Sequence, residues 1–77
     1  MMYDQDKVDE AVLALLTLTS HQSDGVTRAW KGQAWEVMDR LFEKGWIADP
    51  KGKAKSVILT DKGEALSQEL FSALFGR

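Results

Sequence analysis

Several residue types that commonly build functional sites are absent or rare in this chain of 77 residues. It has no cysteine, one histidine and one proline. The missing thiols exclude disulfides, cysteine nucleophiles and thiolate zinc sites, and they suit a reducing cytoplasm. A single histidine without cysteine cannot make a strong zinc site. The sequence therefore predicts a cytoplasmic domain that is stabilised by packing and holds no metal and no cofactor.

Long apolar runs are missing as well. The longest strongly apolar stretch, residues 11–16, is far below the ~20 residues that a membrane-spanning helix needs. Residues 1–10 carry acids where a secretory signal would carry bases. Hydrophobic residues make up 44% of the chain and charged residues 29%, which favours a folded, soluble protein. We expect one domain over residues 1–77, with a thin core and no membrane contact.

The net charge of −2 is unevenly distributed. Residues 1–27 hold one base and five acids, whereas residues 28–62 hold eight bases and five acids. A basic middle segment suits an anionic partner or the acidic end of a second copy, although lysines at a hairpin tip also serve as solvated charges that protect edge strands. The bases that we predict to contact nucleic-acid phosphates are Arg28, Lys31, Lys51, Lys53 and Lys55.

Local patterns predict three helices and two strands. Asp4 or Asp6 can cap a first helix that runs to about Ser20. Thr60 can cap a last helix that ends at about Phe75. Between these helices the sequence predicts a connection over residues 20–32, a helix over residues 33–44, and antiparallel strands over residues 46–48 and 55–60.

This order of elements resembles winged-helix regulators of the MarR and PadR type. The resemblance covers roughly residues 34–70 and rests on L-x-x-K-G at a helix end and L-T-x-x-G after the second strand. It implies a small α+β, winged-helix-like domain in the order helix, helix, strand, strand, helix, with a two-stranded antiparallel wing. The helix that would brace a recognition helix has no counterpart in residues 20–32. The matching residues are Leu41, Lys44, Gly45, Lys53, Val57, Leu59, Thr60 and Gly63.

The chain as a whole is similar to a family of small uncharacterised bacterial proteins. The similarity rests on YDQDKVDEAVLALLTLT at the start, RAWKG in the middle and GKAKSVILTDKG near the end. That family has no assigned activity, so the resemblance supplies no catalytic residue.

No arrangement of residues points to catalysis. Ser20, His21 and Asp24 are the residue types of a nucleophilic triad, but adjacent Ser and His side chains cannot easily face each other and no oxyanion-hole element is recognisable. We therefore predict that the protein is not an enzyme and has no small-molecule substrate. Three N-terminal acids lack the glycine and terminal glutamate of a calcium loop and are interpreted as helix-start acids: Asp4, Asp6 and Asp9.

The aromatic residues allow two interpretations. Trp30, Trp35 and Trp46 flank basic positions, as in stacking platforms for single-stranded nucleic acid. Tryptophan in a small domain more often fills the core, which is the interpretation that we favour. Trp35 lies at the edge of the apolar face of its helix, so its exposure decides between the two.

Apolar residues that lie off the expected core faces suggest self-association. The spacing of Val8, Val12 and Leu15 predicts a buried stripe on the first helix, and the predicted interface residues lie off such stripes. They are covered either within the monomer, if the first and last helices pack together, or in a twofold dimer, which we favour. The residues predicted to form the dimer interface are Leu13, Leu16, Phe71 and Phe75.

The function predicted from these patterns is a protein-interaction or assembly module that is homodimeric through its first and last helices. The alternative is a small DNA-associated regulator that contacts phosphates with its basic wing.

Overall fold

A computed structural model describes residues 2–52 and 54–77 of the chain. Its strands form one antiparallel sheet in the order β1-β2-β3, and the helices make this a small α+β fold. The elements in chain order are α1 (Gln5–Thr19), β1 (His21–Ser23), β2 (Val26–Trp30), α2 (Trp35–Glu43), β3 (Ser56–Leu59) and α3 (Asp61–Phe75).

The first and last helices begin where local capping predicts. The Asp4 carboxylate accepts a hydrogen bond from the backbone N–H of Lys7 at 3.1 Å. At the start of α3, the Thr60 hydroxyl accepts one from the N–H of Gly63 at 3.0 Å. Each cap satisfies a backbone donor that the first helical turn leaves unpaired, and the predictions for these two helix starts are confirmed.

The segment between α1 and α2 corrects the sequence prediction. Residues 20–32 were expected to be a connection, but they contain the β1-β2 hairpin, with Ser23 paired to Val26. The two turn residues between them, Asp24 and Gly25, have φ angles of 52° and 81°. Positive φ at both central residues gives the turn the right-handed twist that two-residue hairpins favour, and Asp-Gly is a preferred sequence for it. The predicted order of elements is therefore incomplete, because it lacks this hairpin.

The predicted two-stranded wing is also modified. The strand predicted over residues 55–60 is present as β3, Ser56–Leu59, but residues 46–48 contribute a single bridge between Ile47 and Leu59 instead of a strand. The N–H of Ala48 donates to the carbonyl of Ile58 at 2.8 Å, so this short segment still runs antiparallel to β3. The opposite edge of β3 pairs with β2, which places β3 between two neighbours.

The core lies where α1, α2 and the sheet meet, and α1 also packs along α3. The stripe predicted on α1 is correct only in part: Val8 and Val12 are partly buried against the core, but Leu15 is exposed, and the fully buried leucines are Leu13 and Leu16. Among the described residues, no helix is both long enough and apolar enough to cross a membrane. The buried core residues are Leu13, Leu16, Ala29, Val37, Met38, Leu41, Ile47, Val57 and Leu59.

Candidate functional site

An ion cluster joins α1 to α2 beneath the surface. The side chain of Asp9 is fully buried, and both of its carboxylate oxygens accept from Nε of Arg40 at 2.9 Å. Nη2 of Arg40 lies 2.8 Å from Oδ1 of Asp9, and Nζ of Lys44 donates to Oδ2 at 2.9 Å. Lys44 also reaches the exposed Asp6 at 3.0 Å. Asp9 is therefore a buried ion-pair residue, and its interpretation as an ordinary helix-start acid is wrong.

The cluster shifts the pKa values of its members. Burial alone would raise the pKa of Asp9, but the hydrogen bonds from Arg40 and Lys44 outweigh it and hold that pKa below its ordinary value. Burial would likewise lower the pKa of Lys44, whereas its hydrogen bonds to Asp9 and Asp6 raise it. The carboxylate thus stays ionised and its charge is compensated, which is the arrangement of a structural ion pair and not of a group that exchanges protons near neutral pH.

The same cluster determines what α2 presents to solvent. Arg40 and Lys44, the two bases of the α2 region, are engaged with Asp9. The face that remains outward carries Glu36 and Glu43, both exposed, and the partly buried Asp39. An acidic face repels phosphates, so α2 is poorly suited to enter a DNA groove.

The bases predicted to contact phosphates are not equivalent. Nε of Arg28 donates to the hydroxyl of Ser56 at 2.7 Å, so this side chain lies along the sheet. Nζ of Lys31 donates to the carbonyls of Pro50 and Gly52 at 2.7 and 2.9 Å, and it ties the loop before β3 to the end of β2. Lys51 and Lys55 are exposed, whereas Lys53 lies outside the described residues. Only part of the predicted basic set is therefore directed to solvent.

A groove lies beside this loop, between the end of β2 and the start of α2. Trp30 and Trp35 line it and are 50% and 59% exposed, which contradicts their interpretation as core residues. Trp46, by contrast, is partly buried against the core, and Nζ of Lys44 lies 5.0 Å from its ring centroid. The groove has a volume of about 400 Å³ and is lined by Trp30, Lys31, Gly32, Gln33, Trp35, Gly52, Ala54 and Lys55.

The predicted dimer interface is corrected in part. Leu13 and Leu16 are buried inside the single chain, so neither offers surface to a second copy in this fold. Phe71 and Phe75 lie on α3 with ring centroids 5.3 Å apart in an edge-to-face contact, and Phe75 is exposed. The sequence interpretation missed the other exposed apolar residues of these two helices, which are Leu15, Leu18 and Leu74.

The residues of the triad considered from the sequence make local backbone contacts instead. The hydroxyl of Ser20 donates to the carbonyl of Thr17 at 2.8 Å, and Nδ1 of His21 lies 3.4 Å from the carbonyl of Thr19. Asp24 occupies the hairpin turn. Within residues 2–52 and 54–77 there is also no group of three potential metal ligands.

Comparisons with known proteins identify the family. The Domain of unknown function (DUF6429) matches residues 4–77. The chain is 53% identical over 77 residues to the uncharacterized protein y4hR of Sinorhizobium fredii (strain NBRC 101917 / NGR234), and the match covers 100% of both chains. No solved structure matches, so the winged-helix resemblance stays a prediction. The similarity to a family of uncharacterised bacterial proteins is confirmed, and the chain belongs to the DUF6429 family, whose function is unknown.

Proposed function

We propose that the protein is a non-enzymatic, winged-helix-like interaction module that forms a homodimer through its first and last helices. The observation that carries this proposal is the apolar face at the end of α3. Phe71, Leu74 and Phe75 follow i, i+3, i+4 spacing, which places them on one side of the helix. Leu74 and Phe75 are 54% and 48% exposed although the core is small.

The first helix adds a second exposed apolar strip. Leu15 and Leu18 are three residues apart on α1, and both are exposed. The helices α1 and α3 pack against each other. Both still expose apolar side chains after the core has formed, and both belong to the interface predicted from the sequence. Leu15 and Leu18 replace the buried Leu13 and Leu16 in the proposed interface.

The total surface area is consistent with a missing partner. The chain exposes 5268 Å², whereas a folded monomer of 8.6 kDa is expected to expose about 4,700 Å². A second copy is the simplest occupant, since a twofold axis brings the same apolar face of two copies together.

The oligomeric state tests the proposal. Light scattering at about 10 and about 500 μM, which brackets micromolar dissociation constants, should show a shift towards twice the 8.6 kDa of the chain. Phe75→Asp should abolish the shift, because it places a charge in the apolar face. Ala73→Asp is the matched control: residue 73 is exposed in the same turn but lies about 160° around the helix. A monomer at the higher concentration would refute the dimer, and equal dissociation by both variants would refute this apolar face as its interface.

The alternative of a DNA-associated regulator has weaker support. Lys51 and Lys55 are exposed and suited to phosphates, but Arg28 and Lys31 already make hydrogen bonds within the chain. The acidic outer face of α2 also disfavours insertion into a duplex groove. Any contact with nucleic acid is therefore expected at the loop before β3 and the groove beside it.

A further inference from the structure

The groove between β2 and α2 combines aromatic faces with positive charge. Trp30 is the last residue of β2 and Trp35 is the first of α2, so four residues separate the two indoles in the chain. Both side chains are at least half exposed, which is unusual for tryptophan in so small a domain. Among the described residues, those that line the groove include two lysines, Lys31 and Lys55, and no acid.

The walls of the groove are fixed by specific contacts. The ammonium group of Lys31 is held by two carbonyls of the loop over residues 50–52, and its backbone N–H donates to the carbonyl of Lys55 at 3.2 Å. The N–H of Trp30 donates to the hydroxyl of Thr19 at 3.0 Å, which ties the end of β2 to the end of α1. The aromatic and lysine residues are thus attached to a braced backbone and not to a loose tip.

Gly32 positions the first indole. A Cβ atom at this residue would collide with the ring of Trp30, so the indole lies directly against the glycine backbone. One side of the ring is therefore supported, while half of the side chain stays open to solvent. An aromatic surface that is oriented before a ligand arrives reduces the ordering cost of binding.

We propose that this groove binds single-stranded nucleic acid, with bases stacked on Trp30 and Trp35 and phosphates close to Lys55 and Lys51. Unpaired bases offer the planar faces that indoles stack on, whereas a duplex keeps its bases paired and stacked internally. The lining charge is positive, which suits phosphates. An acidic peptide would satisfy the lysines but would leave the indole faces without planar partners. The proposal does not depend on the homodimer.

The first test measures binding of the full chain to a labelled single-stranded oligothymidylate of about 12 nucleotides, within the range of known site sizes. Fluorescence anisotropy should show binding at about 50 mM salt that weakens steeply by about 200 mM. Trp35→Ala should weaken binding about 10-fold or more, from the loss of one stacking contact. Trp35→Phe should restore most of it. Phe42→Ala is the matched control, since Phe42 is an exposed aromatic residue of the same helix outside the groove.

A second pair of variants tests the charge and the support of the ring. Lys55→Ala should reduce the salt slope by about 1, whereas Lys62→Ala, an exposed lysine at the start of α3, should not. Gly32→Ala should weaken binding because it displaces the Trp30 indole. Circular dichroism of each variant establishes that the fold is intact.

The proposal is overturned by any of three results. The first is no oligonucleotide binding at low salt. The second is equal binding by Trp35→Ala and Phe42→Ala proteins. The third is tighter binding of a matched DNA duplex or of a polyglutamate peptide than of the single strand, since either would assign the groove to another class of partner.

Discussion

Replacing the buried Asp9 with asparagine should destabilise the fold markedly. The substitution keeps the shape of the side chain and removes its charge, so Arg40 and Lys44 lose the anion that compensates them. Four nitrogen-to-oxygen contacts of 2.8–2.9 Å are weakened together. Breaking a buried ion pair from one side typically costs 3–5 kcal/mol.

The partial exposure of Arg40 and Lys44 reduces the expected cost of breaking the ion pair. The side chains of Arg40 and Lys44 are 21% and 29% exposed, so water can rehydrate them partially once the carboxylate is gone. Asparagine also retains one oxygen that accepts a hydrogen bond. We therefore expect a loss of about 2–3 kcal/mol, out of the ~4–12 kcal/mol typical of a domain of this length.

Urea unfolding followed by tryptophan fluorescence measures the effect. The midpoint should fall while the denaturant slope stays constant, and the melting temperature should drop by about 10–20 °C. Asp6→Asn is the matched control, because Asp6 contacts the same Lys44 but is 84% exposed, and it should leave the midpoint almost unchanged. Equal midpoints for the wild-type and Asp9→Asn proteins, or equal losses for the two variants, would show that burial of the carboxylate does not determine its contribution.

Two further predictions concern the pH dependence of stability and the packing of α3. The pKa of Asp9 is lower in the folded than in the unfolded chain, so the unfolded chain takes up its proton first as the pH falls. The free energy of unfolding should therefore decrease below about pH 4 and continue to fall as the pH passes through the lowered pKa. Urea midpoints measured across this pH range should show a smaller decrease for the Asp9→Asn protein than for the wild type. Separately, Gly63→Ala should destabilise the protein by about 1–2 kcal/mol, because the new Cβ would collide with the carbonyl oxygen of Trp46. The cost of this collision outweighs the ~1 kcal/mol by which alanine normally stabilises a helix relative to glycine. Gly52→Ala, which meets no atom within 4 Å, should be close to neutral in the same urea assay, and a stabilised Gly63→Ala protein would contradict the contact.

Features that depend on neighbouring residues were predictable from the sequence. Capping by Asp4 and Thr60 is decided within three residues, so the starts of α1 and α3 match their predictions. The hairpin turn at Asp24-Gly25 was also predictable from the sequence, since this dipeptide is a strong hairpin signal.

The buried face of α1 could not be chosen from the helix alone. Two stripes satisfy helical periodicity, an entirely apolar one through Val8, Val12 and Leu15, and one that places Asp9 with Leu13 and Leu16 at i, i+4, i+7. Hydrophobicity favours the first. The second is buried because Arg40 of α2 and Lys44 just after it, more than 30 residues away in the chain, compensate the carboxylate. The preference is therefore set by a tertiary contact.

The exposure of the two tryptophans in the groove also depends on contacts that the local sequence does not reveal. Trp30 and Trp35 flank bases in the sequence, but their exposure depends on Gly32 beneath the first ring and on the link between Lys31 and the loop at Pro50. Neither contact follows from periodicity, because both involve backbone positions in irregular segments. The sequence could identify the residues, and only the fold could assign them to one surface.

The ion cluster also explains why two separate surfaces carry the proposed functions. The cluster buries Asp9 together with Leu13 and Leu16, so this side of α1 is not available to a second copy. The apolar end of α3 is then the main candidate interface. By engaging Arg40 and Lys44, the cluster leaves the outer face of α2 acidic, whereas the groove retains the exposed Lys55. The two surfaces share no residue, so their functions should separate. Two variants test this separation. Phe75→Asp should dissociate the dimer without affecting oligonucleotide binding, and Trp35→Ala should weaken oligonucleotide binding without dissociating the dimer.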